Sequence, residues 1–221
     1  VYDGTTNATV TLSDDRVGGD VLSTSYTAAS FADKNQGTGK TVSVSGIAVT
    51  GADAGNYSAN TTASTTADIT ARALVVSATG VNKAYDGTPA ATVTLSDDRV
   101  SGDVLSTSYG AAGFGDENVG VGKAVSVSGI AISGADAGNY SANTTAGTTA
   151  DITARGLLVS AAGINKVYDG TTNATVTLSD DRVSGDELSA SYAAAGFADE
   201  NVGTAKAVSV RGIGISGADA G

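Results

Sequence analysis

The sequence predicts an all-β chain: a tandem array of small immunoglobulin-like antiparallel β-sandwich domains forming an elongated rod. Three observations predict it. First, the chain repeats every 83 residues, with Tyr-Asp-Gly at Tyr2-Asp3-Gly4, Tyr85-Asp86-Gly87 and Tyr168-Asp169-Gly170 and no insertion or deletion between copies. So long and regular a period marks domains in series rather than solenoid turns. Second, short β-branched runs alternate with turn signals about every 8–12 residues, the spacing of sandwich strands. Third, no stretch holds a helical period over about 11 residues. A closed barrel is the alternative architecture.

The repeat frame gives three domains: 1–72, which lacks its first strand; 73–155, which is complete; and 156–221, which lacks its last strands. This is the pattern of a window cut from a longer array, as is the absence of Met at position 1. Both ends lack strands and neither carries a spare one, which argues against strand donation between successive chains.

The complete copy justifies the elements in order. Leu74-Val75-Val76-Ser77-Ala78 is β-branched and reads as a strand. Asp86-Gly87 is a turn, because Gly accepts positive φ and Asp bonds nearby backbone. Val93 and Leu95 alternate with Thr92 and Thr94, the period-2 pattern of a half-buried strand. Residues 96–103 form a polar loop, Val104–Phe114 a longer irregular strand region, and 115–120 another turn. In Val125-Ser126-Val127-Ser128-Gly129-Ile130-Ala131-Ile132 the apolar phase flips at Gly129, as it does at Gly46 in the first copy. An extra residue at a glycine produces such a flip, so a β-bulge is predicted there. Gly134–Asn139 reads as a tight loop, and Tyr140–Ala142 and Ala150–Ala154 supply the closing strands. The count is six or seven strands per copy. The link Thr153-Ala154-Arg155-Gly156-Leu157 is short and limits bending between domains.

Composition narrows the function. The chain contains no Cys, His, Met or Trp. Disulfides, thiolate ligands and thiol nucleophiles are excluded, and the commonest general base is missing. No polar cluster stands outside the repeat to form a single site. These absences argue against an enzyme, and no catalytic, cofactor-binding or metal-ligating residue and no cofactor is assigned. The net charge of −11, from 23 acidic and 12 basic residues, disfavours nucleic acid as a partner. No apolar run approaches the roughly 20 residues of a membrane helix, so no membrane insertion is expected in this segment.

Several groups nonetheless invite chemistry. Asp97, Asp98 and Asp103 recur as Asp14, Asp15, Asp20 and as Asp180, Asp181, Asp186. Clustered carboxylates suit Ca²⁺, but Arg99 sits among them, and a solvated loop with an internal Asp–Arg pair is the favoured reading. Asp86 and Asp136 either meet near a junction around an ion or cap their own turns; capping is favoured. Tyr85, Tyr140 and Phe114 are assigned to core or junction packing. Asn7, Asn56, Asn60, Asn139, Asn143 and Asn173 head Asn-x-Ser/Thr triplets and are candidate glycan acceptors. Lys83, Lys166, Lys123 and Lys206 are considered for isopeptide crosslinks, which require burial beside Asn and a carboxylate. Thr92, Thr94, Ser126 and Ser128 are read as the exposed face of ordinary strands.

The ordered series Asn165–Thr172, Phe197–Gly203, Val208–Val210 and Gly217–Gly221, with Ala150–Ala154 closing the unit, resembles the YDG/MBG (mostly-β, glycine-rich) tandem repeats. These occur in bacterial filamentous-haemagglutinin-type surface adhesins. The resemblance covers the whole chain. It implies a secreted or surface-anchored bacterial protein, extracellular, whose repeats are a structural stalk or fibre segment spacing a distal binding region from the cell or building matrix. Pro89-Ala90 departs from the Thr-Asn of the other copies. The expected partners are neighbouring repeats of the same chain and other copies in a filament. The alternative is a multivalent module with one weak glycan- or matrix-binding site per repeat, gaining avidity from the array.

Overall fold

The computed structural model describes residues 1–220; Gly221, the last residue of the Gly217–Gly221 motif, lies outside the described residues. The described chain is all-β, with short strands, two 3-10 turns and no α-helix. The first copy carries β1 (Ser23–Ser25), β2 (Ala28–Phe31), β3 (Gly37–Ser45), β4 (Ala48–Thr50) and β5 (Thr62–Ile69). β6 (Arg72–Leu74) opens the second copy and is followed by β7 (Val76–Val81), β8 (Lys83–Ala84), β9 (Thr92–Asp97), β10 (Ser106–Ser108), β11 (Ala111–Phe114), β12 (Gly120–Ser128), β13 (Ala131–Ser133), β14 (Tyr140–Ala142) and β15 (Thr145–Thr153). The third holds β16 (Val159–Ile164), β17 (Thr175–Asp180), β18 (Ser189–Ser191), β19 (Ala194–Phe197), β20 (Val208–Arg211) and β21 (Gly214–Ser216).

These strands form many small sheets. The largest runs β11–β12–β15–β8, and its first-copy counterpart is β2–β3–β5. Two-stranded ladders β1–β4, β10–β13 and β18–β21 recur at the same place in each copy. The second copy therefore holds more and shorter strands than its sequence suggests. Two ladders are parallel rather than antiparallel: β14 with β6 (Tyr140↔Arg72) and β15 with β8 (Ile152↔Lys83). Parallel pairing needs a long crossover, and here the body of a copy supplies it.

The phase flip at Gly129 has a different cause from the bulge expected. β12 ends at Ser128, Gly129 turns with φ +67°, and the chain leaves the β11–β12–β15 sheet to pair as β13 with β10. Inward-facing residues change parity because the strand changes sheets. The ladder irregularity in the first copy instead falls between Gly37 and Lys40 on β3, around Gly39 with φ +60°. Ala205 occupies the matching position in the third copy and still adopts φ +52°, a left-handed conformation unfavourable to an L side chain.

Burial follows the alternation. Val125 and Val127 are buried while Ser126 and Ser128 are exposed, and Val42 and Val44 repeat the pattern. Burying one such side chain contributes about 1.5–3 kcal/mol. Ile152 of β15, Leu74 of β6 and Val76 of β7 are also buried. In the third copy Val208 and Val210 are half-buried, with Ser209 between them exposed.

Two compact units emerge, and their limits are not those of the repeat. One holds Val1–Ala78, Leu95–Ala111 and Val127–Ala146; the other holds Thr79–Thr94, Ala112–Ser126 and Gly147–Gly221. Each unit thus combines one outer copy with part of the second.

A close backbone approach recurs at Gly134 and its counterparts Gly51 and Gly217. Gly134 has φ +115°, and a Cβ there would lie 2.5 Å from the Val104 carbonyl oxygen. Gly134→Ala is expected to lower stability by about 2 kcal/mol or more, from combined strain and clash. Gly138→Ala, with open space around it, is expected to be near neutral. Denaturant unfolding of the two variants checks this, and equal stabilities would refute the steric account.

Candidate functional site

The residues that converge most closely lie where consecutive copies meet. In the first unit, Tyr2 anchors its backbone N–H to the Thr70 carbonyl at 2.8 Å. Its ring is 2 % exposed. The hydroxyl donates to the Asp103 carboxylate, 2.8 Å from Oδ2, across 101 residues of chain. That separation exceeds the 83-residue period, so the contact leaves its own copy and enters the next. Tyr140 donates to the same Asp103 Oδ2 at 2.6 Å, and its hydroxyl in turn accepts the Val100 N–H at 2.9 Å. The two tyrosine rings meet edge to face, with centroids 5.4 Å apart, a favourable aromatic arrangement.

A buried carboxylate needs a counter-charge, and Lys34 of the first copy supplies it. Its Nζ lies 2.7 Å from Asp103 Oδ1, 3.1 Å from Asp136 Oδ1 and 5.7 Å from the Tyr2 ring centroid. Burial alone would push the Asp103 carboxyl up; Lys34, Tyr140 and Tyr2 outweigh it and hold the group below the usual carboxylate range. Lys34 is correspondingly pushed up, chiefly by its bond to Asp103. Burial, then the bond to Asp103, pushes the Tyr140 phenol up to about 12. Two further contacts close this junction. Asn139, also buried, accepts the Gln36 N–H at 2.9 Å. Gly4, at φ +81°, lets Val100 approach so closely that a Cβ would sit 2.7 Å from its Cγ1.

Part of this arrangement recurs in the second unit, between the second and third copies. Tyr85 anchors its N–H to the Thr153 carbonyl at 2.8 Å and donates its hydroxyl to Asp186 Oδ1 at 2.8 Å, again across 101 residues. Gly87 takes φ +72° and meets Val183 as Gly4 meets Val100. Where the first copy has Lys34, the second has Glu117. The bond to Asp186, followed by burial and the negative field of Asp186, Asp219 and Glu117, pushes Tyr85 up to about 12. The same plug is thus seated among carboxylates with no lysine at the place of Lys34.

The sequence-predicted groups distribute as follows. The three loop carboxylates diverge to separate partners. Asp97 takes a two-pronged bond from Arg99, with Nε at 2.7 Å, and Arg99 also donates to the Leu105 carbonyl. Asp98 accepts the Val75 N–H at 2.8 Å, and Asp103 serves the tyrosines. The first and third copies keep the internal pairs Arg16–Asp14 and Arg182–Asp180. Asp86 does close its own turn, accepting the Thr88 N–H at 2.9 Å and Lys83 Nζ at 2.7 Å. Asp136 does not cap its 3-10 turn; its Oδ2 accepts the Val104 N–H at 2.9 Å, so it fastens a neighbouring segment instead. Phe114 is buried beneath Lys83 Nζ, 5.8 Å from the ring centroid.

Lys83 and Lys166 pair with Asp86 and Asp169, and Lys123 and Lys206 pair with Asp116 and Asp199. All four carboxylates are half exposed, which is the setting of solvated ion pairs rather than of a buried crosslink. Among the Asn-x-Ser/Thr positions, Asn7, Asn56, Asn60 and Asn173 are exposed. Asn139 is committed to Gln36, and Asn143 Oδ1 holds the Val76 N–H at 2.7 Å. Thr92, Thr94, Ser126 and Ser128 are exposed as expected. Pro89 leaves its turn intact, because the Phe114 N–H needs only its carbonyl, at 2.8 Å, as Phe31 uses Thr6.

The YDG domain family matches the chain three times, over residues 1–67, 70–150 and 153–221. The chain belongs to this family, as three copies in tandem, and in the first two copies the Tyr-Asp-Gly motif is the segment whose tyrosine enters the next. No curated protein and no solved structure matches the chain.

Sequence reasoning assigned Tyr140 and Tyr85 to packing but did not link Tyr2 to Asp103 or single out Lys34. The available signal was the exchange of Lys34 for Glu117 and Glu200 within an otherwise close repeat. Glu117→Lys places an ammonium at the position from which Lys34 reaches Asp103 and Asp136, facing Asp186 and Asp219. It is expected to raise the unfolding midpoint, and the gain should shrink at high salt; an unchanged or lowered midpoint would contradict the assignment. Because the Tyr140 and Tyr85 phenols are raised above the ordinary value of about 10, their contribution is fully present below pH 10. It is lost as pH rises through about 12. A spectrophotometric titration should show these phenols ionising late, with stability falling in the same window; common titration of all tyrosines near pH 10 would refute this.

Proposed function

We propose that the chain is a structural stalk or fibre segment of a secreted bacterial adhesin or extracellular filament, spacing a distal binding region from the cell or building matrix. The three copies act as immunoglobulin-like sandwiches in an elongated rod. The observation that carries this reading is the junction itself. The same tyrosine, glycine and aspartate contacts join the first copy to the second and the second to the third. A contact repeated at every boundary specifies how successive domains sit, which is what a spacer requires and what a single binding site does not.

Other features support it. The link from Thr153 to Leu157 is short and free of a flexible Gly/Ser tract. The acidic surface favours solubility outside the cell. Small-angle X-ray scattering of residues 1–221 tests the reading. Domains on the order of 30–40 Å long in series give a radius of gyration of about 30 Å, against about 17 Å for one compact body of this length. A value near the smaller figure would defeat the stalk.

A further inference from the structure

The Asn-x-Ser/Thr triplets are alike in sequence but not in the fold. We propose that Asn7 and Asn173 are N-linked glycan acceptors, each taking a sugar on its Nδ2 from a glycosyl pyrophosphate, and that Asn139 and Asn143 are not.

Asn7 and Asn173 occupy the same place in the first and third copies. Each makes one isolated antiparallel bridge within its own copy, Asn7 with Ser30 and Asn173 with Gly196, and the second copy repeats the bridge as Ala90 with Gly113. Beside it, the Ala8 N–H donates to the Ala29 carbonyl and the Ala174 N–H to the Ala195 carbonyl, both at 3.0 Å. These bonds hold the backbone extended, so residues two apart share a face. Asn7 and Thr9 are exposed with Ala8 half-buried between them, and Asn173 and Thr175 are exposed with Ala174 half-buried between them. Amide and hydroxyl, the two groups of the acceptor triplet, face solvent together. Neither side-chain amide takes a hydrogen bond among the described residues. The exposure belongs to the position itself. In the second copy, which has a copy on either side, Ala90 and Thr92 are exposed around half-buried Ala91 in the same way.

Asn139 and Asn143 carry the triplet too, but the fold uses their side chains. Asn139 is buried; its Oδ1 accepts the Gln36 N–H at 2.9 Å and its Nδ2 donates to Asn35 Oδ1 at 3.3 Å. Asn143 Nδ2, the atom a sugar would take, donates to the Val76 carbonyl at 3.0 Å and to the Thr145 carbonyl at 2.7 Å, so both of its protons are engaged.

The transfer is a displacement. Nδ2 bonds to the anomeric carbon, the bond from that carbon to the pyrophosphate oxygen breaks, the pyrophosphate leaves with the electron pair, and Nδ2 gives up one proton. A transferase outside this chain supplies the catalysis. The second copy keeps the hydroxyl, at Thr92, and lacks only the amide, because Ala90 stands where the other copies have Asn. The stalk reading needs no sugar, and its scattering test is unaffected by failure here.

Peptide mapping by mass spectrometry of the protein isolated from its native cells tests the proposal. Peptides holding Asn7 and Asn173 should carry sugar: single hexoses from a nucleotide-linked donor, or one fixed oligosaccharide from a lipid-linked donor. The peptide holding Asn139 and Asn143 should carry none. Asn7→Gln and Asn173→Gln should each lose their own increment with the unfolding midpoint unchanged, because both positions are exposed. Ala90→Asn should gain an increment on the second copy. Unmodified Asn7 and Asn173 in the native protein would overturn the proposal. So would sugar that survives Asn7→Gln and Asn173→Gln, which would place it on hydroxyls, or sugar on Asn139 and Asn143, which would show that the fold does not choose the acceptor.

Discussion

The arrangement depends on one buried carboxylate. Asp103 is 8 % exposed and charged, and a charge so placed is tolerated only when its lone pairs are engaged and its field is answered. Two phenols and one ammonium do this, and they come from two copies of the repeat: Tyr140 from its own, Tyr2 and Lys34 from the one before. Separating the copies would leave that carboxylate with Tyr140 alone in place of three partners. The junction is thereby specified by electrostatics and hydrogen bonding rather than by apolar area, in keeping with a chain whose aromatic content is only 5 %.

The backbone is shaped around this requirement. The Tyr-Asp-Gly turn is held by its own aspartate, which fixes the direction in which the tyrosine leaves. Its glycine takes positive φ and admits the valine of the neighbouring loop. On the other side, the 3-10 turn at Ala137–Asn139 presents Asn139, while Asp136 ties the Val104 backbone to that turn. The first and second copies also carry sheet cores built from alternating valines, on β3 beside β5 and on β12 beside β15. The second copy is divided between the two compact units: Asp103, which binds Tyr2, belongs to the first, and Tyr85, which reaches Asp186, belongs to the second.

Much of this was legible in the sequence. The period, the all-β character, the alternation at Val125 and Val127 and the Asp–Arg pairs follow from local pattern, because each depends on residues close along the chain. The bulge at Gly129 was misread because a parity change is the same whether a strand gains a residue or moves to another sheet; only the partner strand distinguishes them. The role of Asp103 was hidden for a related reason. Its loop reads as solvated when taken alone, and burial arrives only with Tyr2, 101 residues away. The parallel ladders of β6 and β8 likewise depend on where the chain re-enters. Lys34 was visible as a charge exchanged for Glu117 and Glu200, yet its meaning required knowing which carboxylates face it.

The most direct test of the central claim is a double-mutant cycle between Tyr2 and Asp103, using Tyr2→Phe, Asp103→Asn and the pair, read by denaturant unfolding. If the tyrosine of one copy is held by the aspartate of the next, the two changes are non-additive by about 1 kcal/mol or more, the scale of a hydrogen bond to a buried charge. Additive effects would show that the two copies are not joined through this bond.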